Sequence, residues 1–325
     1  MISMGLEIEI MANFAESSVR LHPFWLRRQT GIVNSTLNKI NFIIMKFLSS
    51  LLVALSLPAM AVAQVPSDTI TVFMIGDSTM ANKPLDKENQ ERGWGQMLPI
   101  YLEGAIKVDN HAVNGRSSKS FIDEGRWDKV RDQIRPGDYV IIQFGHNDEK
   151  PKPDRHTDPG STFDANLKKF VNETREKGGN PILMNSIVRR NFPANGIAAA
   201  ETDDRQKTWK KGLEGYPMEG DSLADTHGDY RIAPRNVAEE LNVPFVDMNA
   251  LTHELVQDLG PESSKALFMW MPVGKYEFAP NGRIDNTHLN VYGGIVVSRL
   301  AINGIAEKVP ALRPYIRRTV YNLND

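Results

Sequence analysis

The chain has 325 residues, a formal net charge of −2 at pH 7, 24% charged residues and no cysteine. Its near-neutral charge gives no indication of nucleic-acid binding, because domains that bind nucleic acid usually carry a basic surface or a high pI. Without cysteine, the protein has no disulfides, no thiolate nucleophile and no cysteine zinc site. The stability of the fold must therefore come from a buried core.

The N-terminal region has the pattern of an export signal. Residues 45–63 contain a short basic start, an apolar stretch, and small residues at Ala61 and Ala63. This pattern predicts a signal peptide that is cleaved near Ala63, and its apolar stretch is shorter than the roughly 20 residues of a membrane span. Because a signal peptide begins a protein, we interpret Met45 as the initiator and residues 1–44 as upstream sequence. The alternative is a genuine N-terminal extension with an internal anchor.

Residues 64–325 remain after the predicted cleavage, a length that suits one domain with a well-buried core. We expect a single exported domain, periplasmic or extracellular, that is a monomer and lacks a membrane span. Within it, the segment Phe192–Tyr230 is long, polar and Gly-rich, and contains Trp209 and Tyr216. Loops of this length in compact domains are usually functional or mobile, so we predict that this one forms a wall of the ligand cleft.

Apolar, β-branched runs of strand length alternate with segments of helical periodicity along this domain. The predicted strands are Ile70–Ile75, Ala105–Val108, Tyr139–Phe144, Pro181–Ile187 and Val243–Val246. The predicted helices are Phe163–Lys177, Ile232–Leu241, Leu251–Leu259 and Tyr292–Lys308. Most strand runs are continuously apolar, which is typical of strands buried on both faces of a parallel sheet. The alternation predicts a three-layer α/β/α sandwich, with functional groups in loops at the carboxyl ends of the strands.

Candidate catalytic residues follow these strands. Ser78 follows the first strand in a Gly-Asp-Ser tripeptide, and a serine hydroxyl needs a neighbouring base to act as a nucleophile. Among the histidines, His288 stands out because Asp285 lies three residues before it, a spacing that brings a carboxylate beside the imidazole in one turn. The backbone N–H groups of Ser78 and Gly115 and the side-chain amide of Asn147 are candidate donors to an oxyanion. Each feature alone is common in ordinary turns and loops.

Taken together and in this order, Gly76-Asp77-Ser78, Gly115, Gly145-x-Asn147-Asp148 and Asp285-x-x-His288 resemble the four sequence blocks of the GDSL or SGNH hydrolase superfamily. The resemblance implies a flavodoxin-like three-layer sandwich of about five parallel strands and a serine esterase that uses neither a metal nor a cofactor. It implies that Ser78 is the nucleophile, His288 the base and Asp285 the orienting acid. Gly115 and Asn147 match the oxyanion donors of the superfamily.

Four segments further resemble the rhamnogalacturonan acetylesterase branch, which removes acetyl groups from pectic polysaccharide. They are Gly76–Ala81, Ala112–Ser117, Gln143–Asp148 and Leu223–Tyr230. The resemblance implies an acetylated polysaccharide or oligosaccharide as the substrate. One alternative is another SGNH ester hydrolase, namely a xylan acetylesterase, a lipase or a thioesterase. A second alternative is a carbohydrate-binding protein built on an inactive scaffold of the same kind.

Some side chains near these blocks are candidates for contact with the substrate. Arg116 adjoins a catalytic block and has the donors to bind a galacturonate carboxylate bidentately, whereas Arg189 and Arg190 are interpreted as solvated surface residues. The resemblance places His227 in a loop on the substrate side. We interpret His146 as a structural hydrogen-bonding residue near the site, with substrate contact as the alternative.

Two tryptophans have the flat apolar rings that stack on sugars. Trp94 and Trp270 are both candidates for such stacking. Because aromatic side chains bury much apolar area and dominate protein cores, we interpret both as core residues. Substrate stacking remains the alternative interpretation for Trp270.

Overall fold

The structure is a computed structural model that describes residues 69–194 and 219–318. The predicted signal peptide and the sequence upstream of it lie outside the described residues. So does the middle of the predicted cleft wall, including Trp209 and Tyr216.

A five-stranded sheet, parallel throughout, organises the domain. The strands are Ile70–Gly76 (β1), Ile106–Asn110 (β2), Tyr139–Gln143 (β3), Asn180–Met184 (β4) and Phe245–Val246 (β5). Their order in the sheet is β2-β1-β3-β4-β5, so β1 lies between β2 and β3. The carboxyl ends of these three neighbouring strands therefore meet at one edge of the sheet.

The strands differ from their predicted limits where backbone pairing and apolar pattern disagree. Strand β2 continues beyond the apolar run because Asp109 and Asn110 pair in register with Phe73 and Met74 of β1. Strand β5 is shorter than predicted because the Val243 N–H still donates to a carbonyl of the preceding helix, at 2.9 Å from Ala238 O. Strand β4 ends at Met184, three residues before its predicted limit.

The longer helices fall where the periodicity predicts them. The α-helices are Trp94–Met97 (α1), Ser118–Asp123 (α2), Arg126–Arg131 (α3), Thr162–Glu176 (α4), Ala233–Leu241 (α5), Met248–Ser263 (α6) and Val291–Lys308 (α7). Helix α6 begins before its predicted limit because the Asp247 carboxylate caps it, accepting from Ala250 N–H at 3.0 Å. Its axis is interrupted at Gly260, which has a φ of 69°. Helices α1, α2 and α3 were not predicted, because four to six residues are too few to show helical periodicity.

Alternate residues of the strands enter two separate cores. In β1, Val72 and Met74 belong to one apolar cluster, and Phe73 and Ile75 belong to the other. The first cluster includes buried residues of α6 and α7, and the second includes buried residues of α2 to α5. Helices thus cover both faces of the sheet, which confirms the predicted three-layer sandwich.

Trp94, at the start of α1, is fully buried, and its Nε1–H donates to Gln143 Oε1 at 2.9 Å. Its predicted place in the core is confirmed. None of the helices in the described ranges has both the length and the apolar character of a membrane span.

Candidate active site

Ser78, His288 and Asp285 form a hydrogen-bonded chain beside the carboxyl edge of the sheet. Ser78 Oγ lies 2.9 Å from His288 Nε2, and His288 Nδ1 lies 2.8 Å from Asp285 Oδ2. Because a carboxylate only accepts, Nδ1 carries the proton and Nε2 is left to accept the Ser78 O–H. Ser78 is partly exposed, so its hydroxyl is open to a ligand. The geometry is that of a nucleophile, a base and an orienting acid.

The Asp285 carboxylate is held by its own turn. Its Oδ1 accepts the backbone N–H groups of Thr287 at 2.9 Å and of His288 at 3.0 Å, and Arg283 donates to Oδ2. Burial alone would raise the pKa of Asp285, but the His288 and Arg283 charges and these donors hold it well below its ordinary value. The carboxylate is therefore ionised at neutral pH.

A tight turn presents Ser78 at the end of β1. Asp77 Oδ1 accepts from both the backbone N–H and the hydroxyl of Thr79, each at 2.9 Å. The Asp77 carbonyl accepts the Ala81 N–H at 3.0 Å, which closes the turn. Burial raises the pKa of Asp77, although the Thr79 donors favour its carboxylate form. The side chain of Asp77 is therefore fixed inside the protein, while Ser78, the next residue, faces outward.

Gly115 and Asn147 lie side by side, although they follow different strands. Asn147 Nδ2 donates to the carbonyl of Arg116, the residue after Gly115, at 3.1 Å. Asn147 Oδ1 accepts from Lys150 Nζ at 3.1 Å, so the chemistry of the partners fixes which end of the amide is nitrogen. Gly115 has a φ of +75°, a left-handed conformation that disfavours any residue with a Cβ. Within the described part of the chain, the second amide N–H of Asn147 has no acceptor and is left for a ligand.

The backbone donors predicted for an oxyanion have no competing acceptor. Across residues 69–194 and 219–318, neither the Ser78 N–H nor the Gly115 N–H donates a hydrogen bond. Polar groups without partners beside a partly exposed serine are suited to receive a ligand oxygen.

His227 and His146 lie in the interior behind the site. His227 is 1% exposed, and its ring lies 2.9 Å from Glu149 Oε2 through Nδ1 and 3.0 Å from Ile187 O through Nε2. Both ring nitrogens are therefore occupied by contacts within the protein. His227 therefore has no free ring nitrogen for a substrate.

His146 presents its edge to His227, with ring centroids 4.5 Å apart. Neither of its ring nitrogens has a hydrogen-bond partner within the described residues, so its interpretation as a structural hydrogen-bonding residue is wrong. Burial, together with the neighbouring His227, holds the pKa of His146 well below its usual value. His146 is 2% exposed and His227 is 1% exposed, so neither ring is open to a substrate in this structure.

Arg189 and Arg190 are not the solvated residues that we expected. Arg189 is 4% exposed and bonds Glu149, while Arg190 is fully buried and donates to Glu219 Oε1 at 2.7 Å. A buried guanidinium requires such partners because its desolvation is costly. Arg190 also donates to Asn286 Oδ1 at 3.2 Å, so it supports the loop that carries Asp285 and His288.

Arg116 and Trp270 remain candidate substrate contacts. Arg116 is partly exposed and pairs with Glu124 at 3.1 Å. Trp270 is partly buried, and its Nε1–H donates to Asn286 Oδ1 at 2.8 Å. Its ring lies 4.7 Å from Lys265 Nζ. These contacts fix the orientation of each side chain and leave part of each accessible.

Several buried charged residues around the site were given no role by the sequence. Lys83, Glu91 and Arg283 form ion pairs behind Asp285, and Asp148 joins two loops. Arg283 could have been found, because residues two apart in an extended segment share a face and Asp285 follows at that spacing. Lys83, two residues after Ala81, and Glu91 belong to none of the recognised blocks, and neither gives a signal in the sequence. Within the described residues, no group of three or more histidine, aspartate or glutamate side chains is placed to hold a metal ion.

Asp148 links the loop after β3 to helix α2. Its Oδ1 accepts from Ser118 N–H at 3.0 Å, from Ser118 Oγ at 2.5 Å and from Thr157 Oγ1 at 2.9 Å. Burial raises the pKa of Asp148 to about 7, although these donors favour the carboxylate. The native state therefore binds more protons than the unfolded chain between the ordinary value of 3.8 and about 7. Through this group, stability falls as the pH rises across that window.

The variant Asp148→Asn is expected to remove this pH dependence, because its amide oxygen keeps the acceptor and cannot ionise. Relative to wild type, its free energy of unfolding should rise between pH 4 and pH 7 by roughly 2–4 kcal/mol, at no more than about 1.4 kcal/mol per pH unit. Urea unfolding of both proteins across this pH range measures the difference between their free energies of unfolding. The contributions of all other titrating groups cancel in that difference. A difference that stays constant with pH would contradict the assignment.

The fold and this geometry together define the class. A parallel α/β sheet that carries a hydrogen-bonded Ser, His and Asp at its carboxyl edge is the arrangement of a serine hydrolase. A sequence profile of the GDSL-like lipase/acylhydrolase family matches residues 74–293. The chain belongs to this family and is a carboxylic ester hydrolase.

Comparison with known proteins agrees with the predicted resemblance. Rhamnogalacturonan acetylesterase RhgT of Bacillus subtilis is 37% identical over 238 residues, which cover 73% of this chain and 90% of RhgT. The probable rhamnogalacturonan acetylesterase YesY of the same organism is 32% identical over 237 residues, covering 73% of this chain and 92% of YesY. The crystal structure of Bacillus subtilis YxiM matches with a TM-score of 0.56 and 26% identity, covering 74% of this chain and 57% of that one. The chain thus spans little more than half of YxiM but nearly all of RhgT and YesY.

Proposed function

We propose that residues 64–325 form an exported serine carbohydrate esterase that removes O-acetyl groups from pectic polysaccharide of the rhamnogalacturonan type. The observation that carries the proposal is the chain from Ser78 Oγ through His288 to Asp285, with contacts of 2.9 and 2.8 Å. The names of the relatives RhgT and YesY support an acetyl ester of a sugar polymer as the substrate. In this proposal Ser78 is the nucleophile, His288 the base and Asp285 the residue that orients the base.

The first step transfers the acetyl group to the enzyme. His288 Nε2 takes the proton of Ser78 while Oγ forms a bond to the acetyl carbonyl carbon. The carbonyl oxygen becomes an oxyanion, and the ionised Asp285 stabilises the imidazolium. The imidazolium then gives its proton to the sugar oxygen as the carbon–oxygen bond of the ester breaks. The sugar hydroxyl leaves, and Ser78 carries the acetyl group.

The second step releases acetate by the same groups. A water gives a proton to His288 Nε2 while its oxygen attacks the acetyl carbon. The tetrahedral intermediate collapses, the bond to Ser78 Oγ breaks, and His288 returns the proton to the serine. In both steps the oxyanion lies among the N–H groups of Ser78 and Gly115 and the free amide N–H of Asn147. Within residues 69–194 and 219–318 the two backbone donors have no competing acceptor, which supports this role.

Replacing Asn147 by alanine is expected to lower kcat by about 10²–10³-fold with little change in KM, because an oxyanion donor acts mainly on the transition state. Hydrolysis of 4-nitrophenyl acetate measures both constants. The matched control is Asn166→Ala, which removes an amide that donates to Ser118 Oγ at 3.0 Å. An effect of Asn147→Ala confined to KM would contradict the oxyanion role.

The substrate is tested by acetate release from two polymers, acetylated rhamnogalacturonan and acetylated xylan. We expect the higher kcat/KM on rhamnogalacturonan. Faster release from xylan would identify a different carbohydrate esterase. Activity limited to octanoyl rather than acetyl nitrophenyl esters would identify a lipase. N-terminal sequencing of the exported protein tests the proposed cleavage near Ala63, and retention of Met1 would refute it.

A further inference from the structure

A chain of buried ion pairs lies behind Asp285. Glu91 Oε2 lies 2.6 Å from Arg283 Nη1, and Arg283 Nη2 donates to the Asp285 oxygen that also bonds His288. The other Glu91 oxygen, Oε1, lies 2.8 Å from Lys83 Nζ. The three side chains of Lys83, Glu91 and Arg283 are 2%, 11% and 15% exposed. Glu91 thus joins two cations in the interior.

The far end of this chain reaches the oxyanion side of the site. Lys83 Nζ lies 2.5 Å from Asn114 Oδ1, and Asn114 directly precedes Gly115. The backbone of Lys83 is itself fixed, because its N–H donates to Gln96 Oε1 at 3.0 Å and its carbonyl accepts from Gln96 Nε2 at 3.1 Å. The same set of ion pairs therefore contacts the acid of the triad at one end and the turn of the oxyanion donor at the other.

The backbone holds Glu91 beside the loop of the base. Glu91 forms an antiparallel bridge with Asn290, and the next N–H, that of Arg92, donates to Leu289 O at 3.0 Å. Leu289 directly follows His288. Burial alone would raise the pKa of Glu91, but the neighbouring His288, Lys83 and Arg283 hold it below its ordinary value. Glu91 is therefore ionised at neutral pH.

We propose that Glu91 is a positioning residue for ester hydrolysis, which holds Asp285 through Arg283 and the Gly115 turn through Lys83. The inference rests on the proposed function, because it assigns a role relative to that triad. Glu91 does not touch Ser78 or the reacting carbonyl. A buried carboxylate between two cations resists displacement, since moving it would leave a desolvated charge unpaired. Small shifts of either end would misplace the base or the donor.

The charges of this chain also act on His288. The charged and titratable groups around His288 are Asp285, which contacts it, Glu91 with its partners Arg283 and Lys83 behind that carboxylate, Asp77 from the turn after β1 and His146 from the loop after β3. Glu91 and Arg283 carry opposite charges on the same side of His288. Neutral replacements at the two positions therefore have opposite electrostatic effects, which purely structural damage would not produce.

The test compares the pH dependence of kcat/KM for 4-nitrophenyl acetate in Glu91→Gln and Arg283→Gln. The acid limb of this pH profile reports the pKa of the base in the free enzyme. We expect the limb to move to lower pH in Glu91→Gln and to higher pH in Arg283→Gln, each by about 0.5–1 pH unit. In both variants kcat should fall by roughly 10–100-fold, because a misplacement of about 1 Å costs up to about 10²-fold.

The matched control is Glu173→Gln. Glu173, near the end of α4, also joins one lysine and one arginine, Lys169 and Arg131, and its side chain is 19% exposed. It lies toward the amino-terminal edge of the sheet, away from Ser78. We expect a normal acid limb and a normal kcat in this variant. If Glu91→Gln does not fold, the same pH profile is measured for Lys83→Gln and Arg283→Gln. We then expect the acid limb to move to higher pH in both variants.

Acid limbs that stay at the wild-type position, or that move in the same direction in Glu91→Gln and Arg283→Gln, would overturn the positioning role. So would unchanged limbs in Lys83→Gln and Arg283→Gln. Failure of the proposed function has a different signature, because Ser78→Ala would then retain activity. An inactive Ser78→Ala together with unmoved limbs would reject only the role of Glu91.

Discussion

Replacing Ser78 by alanine is expected to lower kcat on acetyl esters by about 10⁶-fold, close to complete loss. Ser78 Oγ lies 2.9 Å from the proposed base, His288 Nε2, and the described residues place no other hydroxyl in hydrogen-bond contact with that nitrogen. Removing the nucleophile also leaves the base without its proton donor, so no second route of the same chemistry remains. The residual rate should come from substrate binding and the oxyanion donors alone.

Steady-state kinetics with 4-nitrophenyl acetate and acetate release from the polymer measure this loss. The control is Ser161→Ala, which removes an exposed hydroxyl that donates only to Asp158 O within the described residues, at 3.2 Å. Its kinetic constants should match wild type. Ser78→Ala should still bind oligosaccharide, since the hydroxyl contributes little area to a sugar site. Full activity in Ser78→Ala would remove the basis of the proposed mechanism.

Replacing Asp285 by asparagine is expected to lower kcat by about 10⁴-fold, the cost of the wrong tautomer in other enzymes of this chemistry. Asp285 Oδ2 now accepts the His288 Nδ1–H at 2.8 Å and also accepts from Arg283. In either orientation an amide turns its NH₂ group toward donors: toward the backbone N–H groups of Thr287 and His288 in one, and toward His288 Nδ1 and Arg283 in the other. The second orientation selects the wrong tautomer of His288. Nδ1 would then accept, Nε2 would carry the proton, and Ser78 would lose its base.

The control for this variant is Asp138→Asn. Asp138 is also buried, at 3% exposed, and accepts Thr71 N–H at 2.8 Å, but it precedes β3 at the opposite edge of the sheet from Ser78. This variant should lose stability and keep kcat per folded molecule. For Asp285→Asn, circular dichroism should show a folded protein with the low rate. A kcat within tenfold of wild type would mean that Asp285 does not orient the base.

The sequence predicted the sheet well because its strands are buried on both faces. Strands such as β1 and β3 are continuous apolar runs in the sequence. The four long helices show the periodic spacing of apolar residues that is typical of a helix. The failures occur where backbone pairing, not apolarity, decides a boundary, as at Asp109 and Asn110 in β2. Helices of one to two turns carry too little periodicity to be found, although the capping pair Ser117 and Ser120 marks the start of α2.

The site was predictable as far as its residues form local patterns. The spacing of Asp285 and His288 brought their side chains together as expected, and the strand order places the loops of Ser78, Gly115 and Asn147 at one edge. Their assignment as catalytic groups stays a prediction.

Interactions between distant segments could not be predicted, because periodicity and spacing carry no information about tertiary partners. Glu91 meets Arg283 across 192 positions of the chain. His227 and Arg190 became buried by meeting Glu149 and Glu219, whereas solvent exposure was the expectation for an isolated arginine.

The central claim is that Ser78 is an activated nucleophile, and labelling with a fluorophosphonate probe tests it most directly. The probe reacts with a serine hydroxyl that a neighbouring base has activated. We predict one label per folded molecule, on the peptide that contains Ser78, and no label in Ser78→Ala. Asp285→Asn should label far more slowly. An unlabelled wild-type protein, or a label on another residue, would contradict the account.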